Sequence, residues 1–265
     1  MSLQTETFYP ADPVSETTCL VIANEFATDL EHGLTRHAAE LAQVTGLPVL
    51  AYDRPGTGRS FSMATPTQRD TKRIVSRSMT TAQQIAKELP ELGFDSVISV
   101  GHSAAAIEAV GLTRTDELPV SNLVITEPTS VKLQSRARLL AGYVAYELRH
   151  ERAGRKHNTE LEPLPKAGKS LRDTAAEFKH YGGLWASDHT AAALGGISQN
   201  LPAVAMHVYF AERSLYGNPA FIDDLVGQLN TVDRLHAAVV PDTYHSHFSR
   251  AQFLGPLVTK AHTNR

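Results

Sequence analysis

Four short apolar runs lie between Thr18 and Glu127, and helical spacing separates them. The runs are TCLVIAN (Thr18 to Asn24), PVLAYD (Pro48 to Asp53), SVISV (Ser96 to Val100) and NLVITE (Asn122 to Glu127). A run of strand length with no polar alternation suits a strand covered on both faces, as in a parallel sheet. Between the first two runs, LTRHAAELAQVTG spaces Leu34, Ala38, Leu41 and Val44 along one helical face and stops at Gly46. Further helices are predicted over roughly Thr67 to Leu89 and from Ser103 onward. Strands alternating with helices predict an α/β fold with a doubly wound, mostly parallel sheet.

From Pro128 to Asn200 no strand is readable. Three stretches there, SRARLLAGYVAYELRH, LRDTAAEFKHYGGLW and DHTAAALGGI, read as helices. About 70 residues is too long for a plain loop, so 129–200 is read as an inserted helical subdomain, with a core formed by 1–128 and 201–265. The rhythm resumes with a strand at AVAMHVYFA (Ala203 to Ala211), a helix at AFIDDLVGQL and a last strand at RLHAAVVP (Arg234 to Pro241). AQFLGPLVTKAH closes the chain as a helix, expected to break or kink near Gly255 and Pro256. The polar start to about Glu16, with Pro10 and Pro13, reads as a loose arm or a short edge hairpin.

Composition narrows the class. With 265 residues, 42% hydrophobic and 20% charged, the chain has apolar mass for a full core. A net charge of -3 implies no general attraction to nucleic acid. The single cysteine, Cys19, sits in an apolar run and reads as a buried strand residue. MSLQTETFYP has neither a basic nor an apolar leader segment, and no run approaches the roughly 20 apolar residues that span a bilayer. A soluble cytoplasmic protein is expected, with no membrane partner and an open oligomeric state.

One stretch carries chemistry. VISVGHSAAAIEAV (Val97 to Val110) reads as a strand, one sharp turn and a helix, with Ser103 at the turn. Gly101 and Ala105, two residues to either side, are small where strand and helix crowd. A serine in such a strained turn stands clear of the sheet, and the N–H of Ala104 opens a helix whose positive end faces a developing oxyanion. The plain alternative is a tight βα turn with an N-capping serine.

Three segments together resemble the α/β-hydrolase family: VGHSAAA as the nucleophile turn, YDRPGTGRS as the loop with Asp53, Gly56, Gly58 and Ser60, and VVPDTYHSHF as the segment of the catalytic histidine. The resemblance runs from Thr18 to the C-terminal helix, and the helical insertion stands where the family places its cap. RPGTGRS has neither the Lys-Ser/Thr ending of a P-loop nor the third glycine of a dinucleotide fingerprint, so it reads as a turn.

The resemblance implies a serine hydrolase acting on a small-molecule ester or acyl bond, without a metal or organic cofactor. Ser103 would be the nucleophile and His245 the base, with His247 its rival two residues on. The family usually sets an aspartate after the penultimate strand, but that position here is Ser214 or Leu215. The acid is Glu127, at the end of NLVITE, or alternatively Glu212. Asp223 and Asp224 read as part of the next helix, and Asp242 is too near His245 in sequence to orient it. Ala104 and Phe26 would supply the oxyanion N–H groups, although Asn24 and Glu25 stand where the family often has His-Gly. The altered VIANEFATD segment keeps open a non-catalytic member that binds a ligand or partner. Carbon–carbon cleavage or acyl transfer by the same residues is a third reading. A serine at the turn argues against dehalogenase or epoxide-hydrolase chemistry, which relatives perform with aspartate.

The stretch from Val131 to Arg172 is rich in Lys and Arg, which reads as a solvated face or as steering for an anionic substrate. Tyr143, Tyr146, Phe178, Tyr181 and Trp185 read as packing between cap and core or as a pocket lining.

Overall fold

The computed structural model describes residues 3–23, 29–31, 33–55, 57–58, 60, 71–129, 131, 135, 137–139, 141–142, 188–214 and 219–263. The elements are β1 (Thr5–Phe8), β2 (Thr18–Ala23), α1 (Leu34–Thr45), β3 (Val49–Tyr52), α2 (Thr71–Glu91), β4 (Ser96–His102), α3 (Ala106–Thr113) and β5 (Val120–Thr126). Later in the chain come α4 (His189–Asn200), β6 (Ala205–Arg213), α5 (Pro219–Leu229), β7 (Leu235–Tyr244) and α6 (Ala251–Thr263). Short 3₁₀ turns at Ser103–Ala105 and His245–Ser249 precede α3 and α6.

The strands form one seven-stranded sheet in the order β1-β3-β2-β4-β5-β6-β7. Every pairing is parallel except that of β1 with β3. Of the two expected readings, the loose arm fails and the edge placement holds: the start of the chain is a single antiparallel edge strand, paired with β3. Pairing Thr5 to Phe8 against Tyr52 to Val49 satisfies backbone groups that β3 would otherwise leave open. From β2 the chain steps outward to β3, then returns past β2 to β4. The winding reverses between β2 and β4, and in open α/β sheets ligands bind at the carboxyl ends of the strands beside such a reversal.

The continuous apolar runs are explained by helices on both faces. In β2, Leu20 and Ile22 join α1 and α6, while Cys19, Val21 and Ala23 join α2 and α3. Burial pushes the Cys19 thiol up to about 12, so it is an unreactive packing group. On the far half of the second face, Leu123, Ile125, Val208 and Phe210 pack with α3, α4 and α5. Ala193, Leu194 and Ile197 of α4 belong to this core, so the helix ending at Asn200 is part of the core layer. The rest of the insertion expected over 129–200 lies almost wholly outside the described residues, as do the aromatic residues named there and much of the basic stretch.

The closing helix α6 continues through Pro256 without the break that was one of the two expectations there. Pro256 faces solvent, where water can serve the carbonyl that loses its N–H partner. Gly255 is required for another reason: a Cβ there would run into the Val44 side chain of α1. Among the described residues no helix is long and apolar enough to cross a membrane.

Two buried imidazoles make the fold acid-sensitive. His207 on β6 is pushed down to about 4 by burial, with His236 and Lys260 adding repulsion. His247 is also pushed down to about 4, by burial and then by Arg250. Their ordinary value is 6.5, so between pH 6.5 and about 4 the unfolded chain binds more protons than the folded one. Their contribution is complete above pH 6.5 and is lost as pH falls through 4. Melting temperature should fall over this window, and less steeply in His247→Phe; equal slopes for variant and wild type would refute the assignment.

Candidate active site

The first half of the site is the turn after β4. Val97 to His102 are all buried, and His102 still has extended backbone (φ -111°, ψ 141°). At Ser103 φ becomes +51°, a left-handed conformation that few non-glycine residues hold. The chain then enters the right-handed region, with Ala105 at φ -75°. Strand and helix meet closely enough that a Cβ on Gly101 would lie 2.7 Å from both the Ala105 carbonyl oxygen and the Ala106 Cα. These are backbone atoms that cannot swing aside. Gly101→Ala should therefore cost about 1–3 kcal/mol of stability, and an unchanged urea midpoint would refute this crowding. The expected oxyanion donor Ala104 is buried in the turn, where helix-opening N–H groups have no partner within the helix. Phe26, the other expected donor, lies outside the described residues, together with Asn24 and Glu25.

The second half is the segment after β5. Glu127 also has a left-handed backbone (φ +46°), and its N–H donates to the Tyr209 carbonyl on β6 at 2.7 Å. This turns the carboxylate across the end of β6, where it is fully buried. Oε1 accepts the Ala211 N–H at 2.7 Å, and Oε2 accepts the Ser214 hydroxyl at 3.0 Å. Oε2 also accepts Nδ1–H of His245 at 3.1 Å. Buried charge is tolerable when its lone pairs are met in this way. With Nδ1 carrying the proton toward Glu127, Nε2 of His245 is left with the lone pair a base requires.

His245 is thus joined to Glu127, from segments 118 residues apart in the chain. Glu212 has a different place: it is exposed and its carboxylate accepts the Asp242 N–H at 2.8 Å. His247 does not share the setting of His245. It stacks on Phe253 (ring centroids 4.4 Å apart) and meets Tyr244 edge-on. The two histidines lie in a 3₁₀ turn rather than an extended loop, and the separation of their side chains follows from that turn's three-residue period.

Three neighbours escaped the sequence reading. His102, beside the serine, packs its ring 4.7 Å from that of His245. Its Nδ1–H donates to the Thr126 carbonyl at 3.1 Å, and the Thr126 hydroxyl lies 3.0 Å away. Burial, and then the repulsion that an imidazolium at His245 would exert, hold His102 well below the ordinary histidine range, so it stays neutral. Thr129 donates both its N–H (3.2 Å) and its hydroxyl (3.3 Å) to the Ser103 carbonyl. The short segment from Glu127 to Thr129 therefore holds His245 at one end and the serine turn at the other. Ser214 is the third. Its signal in the sequence was the missing aspartate at that place.

The described residues of the YDRPGTGRS segment brace one another and their neighbours. Asp53 is buried and accepts the Leu30 N–H at 2.8 Å, while Thr57 donates its N–H and hydroxyl to the Arg54 carbonyl. Gly58 has φ +46°, and a Cβ there would strike the Asp53 carboxylate. The Ser60 hydroxyl accepts the Gln4 N–H and ties this turn to the edge strand.

No protein-family model matches the chain, and no curated protein matches it in sequence. Solved structures do match along nearly its whole length. MenH from S. aureus shares 14% identity at a TM-score of 0.62, covering 98% of this chain and 97% of that one. A monoacylglycerol lipase from Paleococcus ferrophilus shares 16% at a TM-score of 0.59, covering 98% of both chains. A lipase-esterase related protein from Clostridium acetobutylicum shares 12% at a TM-score of 0.62, covering 98% of this chain and 100% of that one. Together with the mostly parallel seven-stranded sheet and its flanking helices, these likenesses show that the chain has the α/β-hydrolase fold.

Proposed function

We propose that the protein is a serine hydrolase that cleaves a carboxylic ester or related acyl bond of a small molecule. The observation that carries this reading is the buried His245–Glu127 hydrogen bond of 3.1 Å, set at the same end of the sheet as a serine held at φ +51°. Hydrolytic names among the structural neighbours, a monoacylglycerol lipase among them, support the same chemistry.

In this reading His245 Nε2 takes the hydroxyl proton of Ser103 as its Oγ attacks the carbonyl carbon. Glu127 stabilises the imidazolium that forms. The N–H groups of Ala104 and Phe26 receive the oxyanion. The tetrahedral intermediate collapses, His245 returns the proton to the departing alkoxide, and an acyl-Ser103 ester remains. Water, deprotonated by His245, releases the acid and restores the serine. The steps need no metal or organic cofactor.

Fluorophosphonate labelling of wild type and Ser103→Ala, with p-nitrophenyl acetate and butyrate turnover alongside, tests the proposal. Labelling and turnover should both be present in wild type and vanish in the variant. A well-folded wild type that neither labels nor turns over would instead support a ligand-binding member of the fold.

A further inference from the structure

Ser214 occupies the place after β6 where the resemblance to the α/β-hydrolases leads one to expect an aspartate. It is a buried residue at the end of the strand, 87 positions from Glu127 in sequence, and its hydroxyl is aimed at the carboxylate rather than at solvent. The oxygen it reaches is Oε2, the one that also accepts Nδ1–H of His245. The other oxygen, Oε1, accepts the Ala211 N–H. Two side-chain donors on one oxygen compete for its negative charge. Each weakens what the other receives.

Resting on the hydrolase reading above, we propose that Ser214 is a positioning residue of this site: by sharing Oε2 with His245, its hydroxyl fixes the carboxylate's orientation and limits how strongly it holds the imidazole. The acid has moved to the neighbouring strand end, and the vacated position has become part of its support. Removing the hydroxyl frees charge on Oε2 for the imidazolium, so His245 becomes more basic. The His102 ring, 4.7 Å from that of His245, is neutral and is the same in wild type and variant. Of the titratable and charged groups near it in the chain, His247 packs on Phe253 and Tyr244, and Arg213 lies over the Tyr244 ring. Glu212 is engaged by the Asp242 amide.

The experiment is an NMR titration of the imidazole nitrogens in ¹⁵N-labelled protein, with the His245 signals identified by their loss in His245→Gln. In Ser214→Ala the His245 midpoint should rise by roughly 0.5–1 pH unit, the scale of one ordinary hydrogen bond. Ser214→Thr should restore the wild-type midpoint, and Ser214→Cys, a weak donor, should fall between. The acid limb of fluorophosphonate labelling against pH should move the same way. An unchanged or lowered midpoint in Ser214→Ala overturns the proposal, even if stability falls, because a packing role alone would not raise it. Should Ser214→Ala fail to fold, the Thr and Cys variants decide between the same outcomes. A wild type that titrates as described but does not label would overturn the hydrolase reading and leave the assignment of Ser214 standing.

Discussion

Ser103→Ala should lose all fluorophosphonate labelling and at least about a thousandfold in kcat, with KM little changed. The size follows from chemistry. His102, Ala104 and Ala105 bring no hydroxyl to the turn, and that of Thr129 is held by the Ser103 carbonyl, so the covalent route is removed rather than slowed. What remains is the rate at which water attacks a substrate held against the oxyanion donors. The fold should be unaffected, because alanine fills nearly the same space at this buried position. Ser103→Gly separates catalysis from strain. It should be equally inactive, yet more stable than Ser103→Ala by up to about 1 kcal/mol, since glycine holds φ +51° without steric cost. Retention of a tenth of wild-type turnover by either variant would remove Ser103 from the mechanism. A glycine variant no more stable than the alanine one would mean that the turn stores no strain.

Glu127→Gln is the second large effect, with kcat expected to fall by about 10²–10⁴-fold. The carboxylate offers acceptor sites to three donors: the Ala211 N–H, the Ser214 hydroxyl and Nδ1–H of His245. A glutamine has one acceptor oxygen and one NH₂ group, so a donor must face a donor on one side. If the NH₂ group turns toward His245, the imidazole takes the other tautomer and Nε2 loses the lone pair that a base requires. If it turns toward Ala211, a buried N–H loses its partner. In both cases the negative charge that stabilises the imidazolium is gone. Glu212→Gln is the control: its carboxylate is exposed and bound to the Asp242 amide, so kcat should stay within about twofold, as for most surface changes. Comparable losses in the two variants, or a Glu127→Gln enzyme above a tenth of wild-type kcat, would count against Glu127 as the acid.

Much of the architecture was legible because it depends on local pattern. Each apolar run predicted a buried strand, and β2 to β7 fall where the runs lie. Their ends shifted by a few residues, as at β7, which extends from the expected Pro241 to Tyr244. That extension comes from pairing with β6, where Arg213 registers with Tyr244 after an irregularity. Local pattern could not reveal such a partner. The same limit explains the N-terminal segment, whose polar sequence left a loose arm and an edge hairpin both open until β3 offers it an edge to pair with. It also bears on Pro256, because only the packed structure shows that this proline lies on the exposed side of α6, where water can reach the freed carbonyl.

At the site, the sequence singled out Ser103 and His245 because a turn motif and a position after the last strand are properties of neighbouring residues. The choice between Glu127 and Glu212 was not decidable in the same way. Both end strands, and which carboxylate reaches the imidazole depends on the backbone beyond each strand. At Glu127 that backbone is left-handed and bonded to Tyr209, which folds the side chain inward across β6.

By itself, then, the sequence determined the succession of strands and helices, the strand–turn–helix around Ser103 and the candidate base, since these follow from hydrophobic period and the steric demands of small residues. Only the tertiary structure decided the order of strands in the sheet, the pairing of His245 with Glu127, and the roles of Ser214, Thr129 and His102 around them. Those contacts join residues distant along the chain, and their free energy depends on burial and orientation that exist only once the sheet has assembled.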